Sequence, residues 1–320
     1  MSILFAQNSF LKIAQETTWG VGVSTTVFVK LISSTLQVVQ ERERRTHLSV
    51  PTSGMLSGTF EGFRNAGGTI DIPAYYDGIG LLLRAALGSS ATDSSAPPLY
   101  VHTYTPAEDQ PSLTVDFQRG SNLANSMEKF TGVKVSTMTI SVEAGSEMTC
   151  SFDLICKDAD ARGTNIPFTA PTFDQVYHYE SGALTMGGTL SIASLDIRSF
   201  ELSLDNKLDR RNLLGSKLTG EPVPTDVREV TLSITCDVTD NSLYSDSLAG
   251  NSGDVSIEFT RSAETTHKFK ILLDACTIED YNDNITAFGR VERTFSLRGY
   301  ASASDAGLTI EIKNASASAI

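Results

Sequence analysis

The sequence lacks the patterns that most enzymes and membrane proteins need. Its four histidines stand singly, without HxH or HExxH spacing, and there is no GxSxG elbow, P-loop or glycine-rich nucleotide turn. No run approaches the roughly 18 apolar residues that span a membrane, and the segment 1–20 lacks the basic start and apolar middle of a secretory signal. We therefore expect no catalytic residues, no cofactor and no membrane partner, and synthesis in a cytoplasm.

Cysteine is scarce, and no CxxC pair or neighbouring histidine cluster accompanies the four that occur: Cys150, Cys156, Cys236 and Cys276. This spacing signals neither a zinc site nor a disulfide framework, so we expect buried free thiols. The acidic stretch 280–284 has oxygen ligands that Ca²⁺ prefers, but it lacks the full calcium-loop spacing. We interpret it as an acidic turn and predict no metal site.

Positive charge is in short supply, because 25 basic residues face 38 acidic ones and the formal net charge is −13. An acidic surface repels phosphate, which argues against a protein that grips nucleic acid through a basic groove. DNA could slide past such a surface. Solubility is the plainer explanation of the same charge.

Alternation of apolar and polar residues at period two dominates the chain, which indicates half-buried strands. It is clear at 69–72, 150–154, 200–204, 230–234 and 255–259. The fold class that we predict is mainly β and antiparallel.

Two segments read as helices. In Tyr76–Leu87 an apolar stripe precedes Gly88, and Asp77 is placed to cap the first turn. A weaker pattern covers Asp240–Ala249 before Gly250. Each follows a strand at the same place in its half of the chain.

The two halves repeat the same order of elements, which favours an internal duplication. The matched segments are 36–54 with 202–220, 69–88 with 231–250, 134–135 with 270–271, and 152–154 with 295–297. The interval between matched positions is slightly shorter in the second match than in the first, a difference that a short loop deletion would explain.

We therefore predict an arm at residues 1–26, a first domain at 27–165 and a second domain at 175–320. A stretch with Gly, Pro and Thr near 162–174 suits a linker between the domains. The arm carries the only tryptophan, Trp19, which we expect to anchor the arm in a pocket of its own chain or of a neighbour.

Two clusters of mixed charge fall at equivalent repeat positions and are candidates for contacts between subunits or rings: Arg42, Glu43, Arg44 and Arg45, and Lys207, Asp209, Arg210 and Arg211. Each cluster could be a solvated hairpin tip. Their equivalence favours tips that reach the facing surface of another copy of the chain and pair with acidic groups there through the planar fork of arginine. Exposed ion pairs are individually weak.

Together with the Trp-Gly arm in Glu16–Gly20 and the β-rich stretch Phe130–Asp158, these features resemble the tail tube proteins of siphovirus-type phages. The resemblance implies tandem β-sandwich or barrel-like tube domains, each flanked by one α-helix. It also implies inner sheets that join around a ring into one β-barrel lumen. Ring closure would cover every sheet edge.

The resemblance further implies a structural virion protein whose stacked rings conduct the genome into the host. Six tube domains per ring would mean three chains with pseudo-sixfold symmetry; six chains with a decorating second domain are the alternative. The expected partners are further copies of the chain, a tape measure protein, and tail terminator and tip proteins. Double-stranded DNA would pass without tight binding, and assembly would take place in the cytoplasm of the bacterial host.

A carbohydrate-binding or adhesin-like β-sandwich of a tail tip or surface is a second hypothesis. It would need exposed aromatic platforms in loops, and one Trp with nine scattered Tyr offers little for that purpose. A hydrolase finds support only in unclustered acids.

Overall fold

The structure is a computed structural model that describes residues 6, 8–44, 58–96, 99–168, 175–180, 185–188, 190, 196–238, 241–260, 267–284, 291–302 and 306–318. Within these ranges the chain forms antiparallel sheets and two short helices. The predicted mainly β fold class is confirmed.

The first half of the chain contains the elements β1 (Phe10–Gln15), β2 (Val27–Lys30), β3 (Ser33–Ser34), β4 (Gln37–Arg44), β5 (Thr59–Pro73), α1 (Gly80–Leu87), β6 (Gly88–Ala96), β7 (Leu99–Pro106), β8 (Leu113–Gln118), β9 (Met127–Glu143), β10 (Thr149–Cys156) and β11 (Asp158–Ala159). The second half contains β12 (Thr185–Gly188), β13 (Asp196–Asp205), β14 (Leu208–Asn212), β15 (Thr219–Pro224), β16 (Glu229–Asp237), α2 (Ser242–Ala249), β17 (Ser252–Thr260), β18 (Lys268–Asn284), β19 (Glu292–Gly299) and β20 (Thr309–Asn314).

A central antiparallel sheet runs through both halves in the order β4-β5-β10-β9-β13-β16-β19-β18. Its first four strands come from the first half and its last four from the second half. The two sets join where β9 pairs with β13. We call these sets the first and second four-strand units.

The strands β9 and β18 are long enough to belong to two sheets. The first part of each pairs in an outer sheet, and the last part pairs in the central sheet. The first outer sheet is β2-β1-β8-β9, and the second is β12-β17-β18-β20-β7-β6. One hydrophobic cluster from both halves fills the space beside the central sheet. Alternation places Leu202 and Ile234 in this core, whereas Ser203 and Thr235 face the other way.

The two units also share one irregularity of pairing. The ladder between β9 and β10 skips Ser136, and the ladder between β18 and β19 skips Glu279. A bulge is a local feature of one strand, so coinciding bulges favour two copies of one unit. Aligning Ser136 with Glu279 matches 134–135 with 277–278, and the sequence-based match to 270–271 is therefore wrong.

The match of β5 with β16 is also shifted. Phe152 follows Ser136 at the same spacing as Phe295 follows Glu279, so these two phenylalanines are equivalent. Ile70 pairs with Phe152 and Ile234 pairs with Phe295, which makes Ile70 equivalent to Ile234. The sequence-based match had placed Ile72 opposite Ile234. A slide by two residues keeps every side chain on its face, so alternation alone cannot distinguish the two registers.

The prediction that residues 1–26 form an arm is wrong for Phe10–Gln15. This segment is β1, which pairs with β2 and β8 on its two edges. Leu11 and Ile13 are fully buried in the core. The short FLKI run has strand alternation, but it lacks the flanking turn signals that would have marked it.

The acidic stretch 280–284, which we interpreted as a turn, is part of a strand, and two Ser- and Ala-rich segments outside the alternating segments named above also form strands. The Ser/Ala-rich stretch after Gly88 is β6, the end of the chain contributes β20, and the acidic stretch 280–284 completes β18. Cross-strand partners supply the ladder that local propensity does not predict. Residues 169–174 of the predicted linker lie outside the described residues.

Both helices occur at the predicted places but are shorter. The residue before α1 is Ile79, which makes no side-chain capping bond, so Asp77 is not the cap. Its carboxylate instead accepts a hydrogen bond of 2.6 Å from Nδ2 of Asn314. Gly250 ends α2 with a left-handed backbone, as the sequence indicated.

All four cysteines are buried and unpaired, as predicted. Burial raises the pKa of Cys236 to about 11 and that of Cys276 to about 12. No cluster of three metal-binding side chains occurs in the described part of the chain. Across the same ranges, no helix has the length and apolar character that a membrane crossing needs.

Candidate assembly surfaces

The junction between the two four-strand units is a complete antiparallel pairing. Residues 199–205 of β13 lie opposite 143–137 of β9. On the core side, Leu202 faces Ile140 and Leu204 faces Met138, and all four side chains have no exposed surface. Continuous hydrogen bonding and a shared core thus join the units into one sheet.

The hairpin β14–β15 extends from the second unit onto the first. The Arg210 guanidinium donates a hydrogen bond of 2.8 Å to the Ala66 carbonyl oxygen. Nζ of Lys134 lies 2.7 Å from a carboxylate oxygen of Glu221. The backbone N–H of Arg64 donates to a carbonyl of the connection between the strands. The hairpin therefore clasps the neighbouring unit of the same chain.

The second predicted charge cluster lies at the start of this hairpin. Lys207 has a left-handed backbone and pairs with Asp205 and Glu229 at 2.8 Å each, and hydrogen bonds to these two carboxylates raise its pKa. Asp209 is exposed and accepts a bond from the Arg210 backbone N–H, and Arg211 is exposed. Arg210 has its carbonyl partner inside the chain; a contact with another subunit stays a prediction for the whole cluster.

The first predicted charge cluster lies on the outward end of β4. Arg42, Glu43 and Arg44 pair through the backbone with β5, and Glu43 and Arg44 are exposed. Arg45 lies outside the described residues. The two clusters occupy equivalent hairpins of the two units, but among the described residues Arg44 makes no contact that matches the bond from Arg210 to Ala66. The inter-subunit role of this cluster also stays a prediction.

The turn around Trp19 is fixed by a buried carboxylate that sequence reasoning did not single out. Glu16 is 5% exposed and accepts four hydrogen bonds. The donors are the backbone N–H groups of Gly20 and Gly132, at 2.8 and 2.9 Å, and the hydroxyls of Ser112 and Thr114, at 2.7 and 3.0 Å. An acid at a strand end, followed by a Trp-Gly turn, was the available signal.

The Trp19 ring packs on its own chain. Lys157 places its ammonium 5.0 Å from the ring centre. Gly132 has φ +62, and a Cβ there would lie 3.1 Å from the indole, so glycine permits the close approach. The structure thus gives Trp19 an intrachain pocket; a contact with a neighbour stays a prediction.

The central sheet turns a polar face away from the core. It carries the small hydroxyl residues of alternate strand positions and many carboxylates, among them Asp71, Glu143, Asp153, Glu201, Asp205, Glu229, Asp237 and Glu292. Arg198 contacts Asp237 at 3.0 Å, and Arg298 contacts Glu279 at 3.1 Å. Carboxylates outnumber basic groups on this face, so its charge is negative.

The central sheet ends in two open edges. At one end β4 pairs only with β5, and at the other end residues 278–284 of β18 pair only with β19, as far as the described residues extend. The Thr35 N–H donates to the Thr69 carbonyl, so odd-numbered residues here point their backbone groups toward β5. Even-numbered residues, including Val38, therefore point theirs to the open edge.

These features define a mainly β protein whose central sheet has an open edge at each end, within the residues that the structure describes. A family model described as phage tail tube protein matches residues 6–313 of the chain. The chain therefore belongs to the phage tail tube protein family. Comparison with curated proteins gives no match. The family makes the chain a virion component that self-assembles into a tube with other tail proteins, and a non-enzymatic role accords with it.

Proposed function

We propose that the chain builds the tail tube as stacked rings in which both halves are tube domains of the wall. The first domain is 27–165 together with β1, and the second is 175–320. One observation carries this proposal: two four-strand units with the same strand order and one bulge at the equivalent position already form one continuous sheet. Further copies can extend it in the same direction.

The width of the sheet favours three chains per ring. With strands about 4.8 Å apart, 24 strands of three chains give a barrel roughly 37 Å across, and side chains about 5 Å deep on each side leave roughly 27 Å. The 16 strands of two chains would leave about 14 Å, little more than the ~12 Å width of one major groove of DNA. Strand tilt enlarges both values without changing their order.

The polar face of the central sheet is the proposed lumen wall. Its carboxylates repel the phosphates of passing DNA. The wall therefore does not bind the DNA at many phosphates at once, and such binding would resist its movement. Its hydroxyl groups are small, and several are already bonded to neighbours, as when Ser151 donates to Asp71 at 2.6 Å. The opposite face is the hydrophobic core and cannot line a channel.

In this role the protein serves a long, non-contractile tail of the siphovirus type and performs no catalysis. The rings assemble in the host cytoplasm around a tape measure protein and between tail terminator and tip proteins. After assembly the tube conducts double-stranded DNA into the host during ejection.

Electron microscopy of the purified protein tests the proposal. We expect rings or rods with a central channel, and projections along the axis should show six similar lobes. Measurement of the mass of one ring should show that it contains three chains. Dispersed monomers under all assembly conditions would refute the tube. Binding to glycans by such monomers would favour the adhesin-like alternative.

A further inference from the structure

We propose that residues 280–284 of β18 in one copy pair with residues 39–35 of the β4 edge in the next copy, in the register of the β9–β13 junction. This inference rests on the proposed ring, and it names the two strands and the residue pairs that close it. The chain's own junction is the template.

The β4 edge is equivalent to β13. Both strands open a four-strand unit, and each pairs with the strand that follows in the unit, β5 or β16. Leu36 is fully buried, as is Leu202 at the matched position of the second unit. The outer edge of β13 is covered by β9, whereas no described strand covers the outer edge of β4.

The final segment of β18 is equivalent to the segment of β9 that receives β13. Both strands close a unit, and the skipped residues Ser136 and Glu279 fix the alignment of one strand on the other. In both strands the preceding segment pairs with a strand of an outer sheet, β8 or β17, on the corresponding edge. The open edge of β18 therefore continues where β17 ends.

The register follows from the template. Leu204 pairs with Met138 in the template, so their equivalents Val38 and Tyr281 should pair between copies. In the same way, Asp205 pairs with Thr137, so Val39 should pair with Asp280. The backbone groups of Val38 point to the open edge, so Val38 and Tyr281 would form a hydrogen-bonded pair. Val39 and Asp280 would then form a close pair without mutual backbone hydrogen bonds.

Burial differs between the template and the open edges in the expected sense. Leu204 and Met138 have no exposed surface in the intrachain junction. Their equivalents Val38 and Tyr281 are only partly buried, and Val39 is 49% exposed. A neighbouring strand would cover the core-side pair Val38 and Tyr281. It would also satisfy the open backbone groups of the edge, apart from the Leu36 carbonyl, which already accepts a hydrogen bond from the Arg119 guanidinium.

The contact made by the β14–β15 hairpin, the hydrogen bond from Arg210 to Ala66, should also have an equivalent between copies. Arg44 follows Leu36 at the same spacing as Arg210 follows Leu202, so the two arginines are equivalent. Ala66, the carbonyl partner of Arg210, likewise matches Val230 in the alignment of β5 with β16. The Arg44 guanidinium of one copy would therefore donate to the Val230 carbonyl of its neighbour. The two open edges of the chain's sheet, β4 and β18, are different strands, so the contact between copies is head-to-tail. Repeating this contact from copy to copy would close a ring.

Paired cysteines test the register. In Val39→Cys with Asp280→Cys, the expected Cα separation of about 4.5 Å for such a pair suits a disulfide. After mild oxidation of assembled protein, we expect non-reducing gel electrophoresis to show a ladder of disulfide-linked oligomers. The largest oligomer should contain as many chains as one ring. The four native thiols are buried and form no background.

Two matched pairs serve as controls. Thr137→Cys with Asp205→Cys occupies the template position and should close within one chain, without a larger species. Thr35→Cys with Asp280→Cys places the thiols out of register, and it should give no ladder. Circular dichroism of each variant verifies its fold.

The outcomes separate this inference from the proposed function. A ladder from the matched pair alone supports the junction. Tubes that form normally while only the template pair closes would overturn the junction and leave the tube function standing. Equal ladders from the matched and shifted pairs would also overturn the register. If the unmodified protein forms no rings or tubes, both proposals fail.

Discussion

Replacing Glu16 by glutamine should loosen the Trp19 turn and destabilise the first domain. Each carboxylate oxygen of Glu16 accepts one backbone N–H, from Gly20 on one side and from Gly132 on the other. A glutamine side chain offers one carbonyl oxygen, so in either orientation its NH₂ group faces one of these donors. The two hydroxyl partners can rotate, but the backbone donors cannot.

The magnitude follows from the burial of these donors, which is complete for the Gly132 N–H and partial for the Gly20 N–H. A buried donor left without an acceptor costs about 1–3 kcal/mol, so Glu16→Gln should lower the free energy of unfolding by about that amount. Glu16→Ala leaves four donors without the carboxylate and should cost more, about 3–5 kcal/mol for a buried network of this kind.

The only tryptophan in the chain reports the local change. Urea unfolding should be followed in parallel by circular dichroism and by Trp19 fluorescence, whose emission should shift to longer wavelength in Glu16→Gln before global unfolding. Glu108→Gln, which removes an exposed carboxylate, is the matched control and should behave like the original protein. Unchanged stability and unchanged Trp19 emission in Glu16→Gln would refute the reasoning.

Three further changes separate folding from assembly. Arg210→Ala should lower the free energy of unfolding by about 1.5–3 kcal/mol, because a charged donor to Ala66 is lost, whereas Arg44→Ala should leave unfolding within about 0.5 kcal/mol and reduce ring formation; equal urea midpoints would contradict this. Val38→Pro removes a backbone donor from the open edge and should abolish tubes seen by electron microscopy while a folded monomer remains. Burial raises the pKa of Asp77, so protonation of this carboxyl stabilises the fold at low pH, and the stabilisation is lost as pH rises through the folded-state pKa. Asp77→Asn should therefore raise the melting temperature more at pH 7 than at pH 4. A larger increase at pH 4 would be evidence against this explanation.

The alternation of apolar and polar residues was sufficient to predict the fold class and much of the core. Ile234 and Leu202 follow a period of two, which any half-buried strand requires whatever its partner. The order of elements in the two halves, the buried cysteines and the positions of both helices are equally local or compositional signals.

The candidate site was only partly predictable. The charged clusters were visible as sequence, but the contact between Arg210 and Ala66 joins residues from different halves of the chain. The four donors of Glu16 come from three separate segments, so a lone acid beside two threonines carried no sign of its burial. The strands β1 and β20 were missed because their stability comes from partners on both edges rather than from their own composition.

The sequence alone thus determined the fold class and, for the strands that alternation marked, which face is apolar, because both follow from the local period of the side chains. The tertiary structure decided which strands are neighbours, in what register, and which edges remain open. Shifting a strand by two residues preserves its pattern of faces, so only the pairing itself, with its bulges at Ser136 and Glu279, distinguishes one register from another.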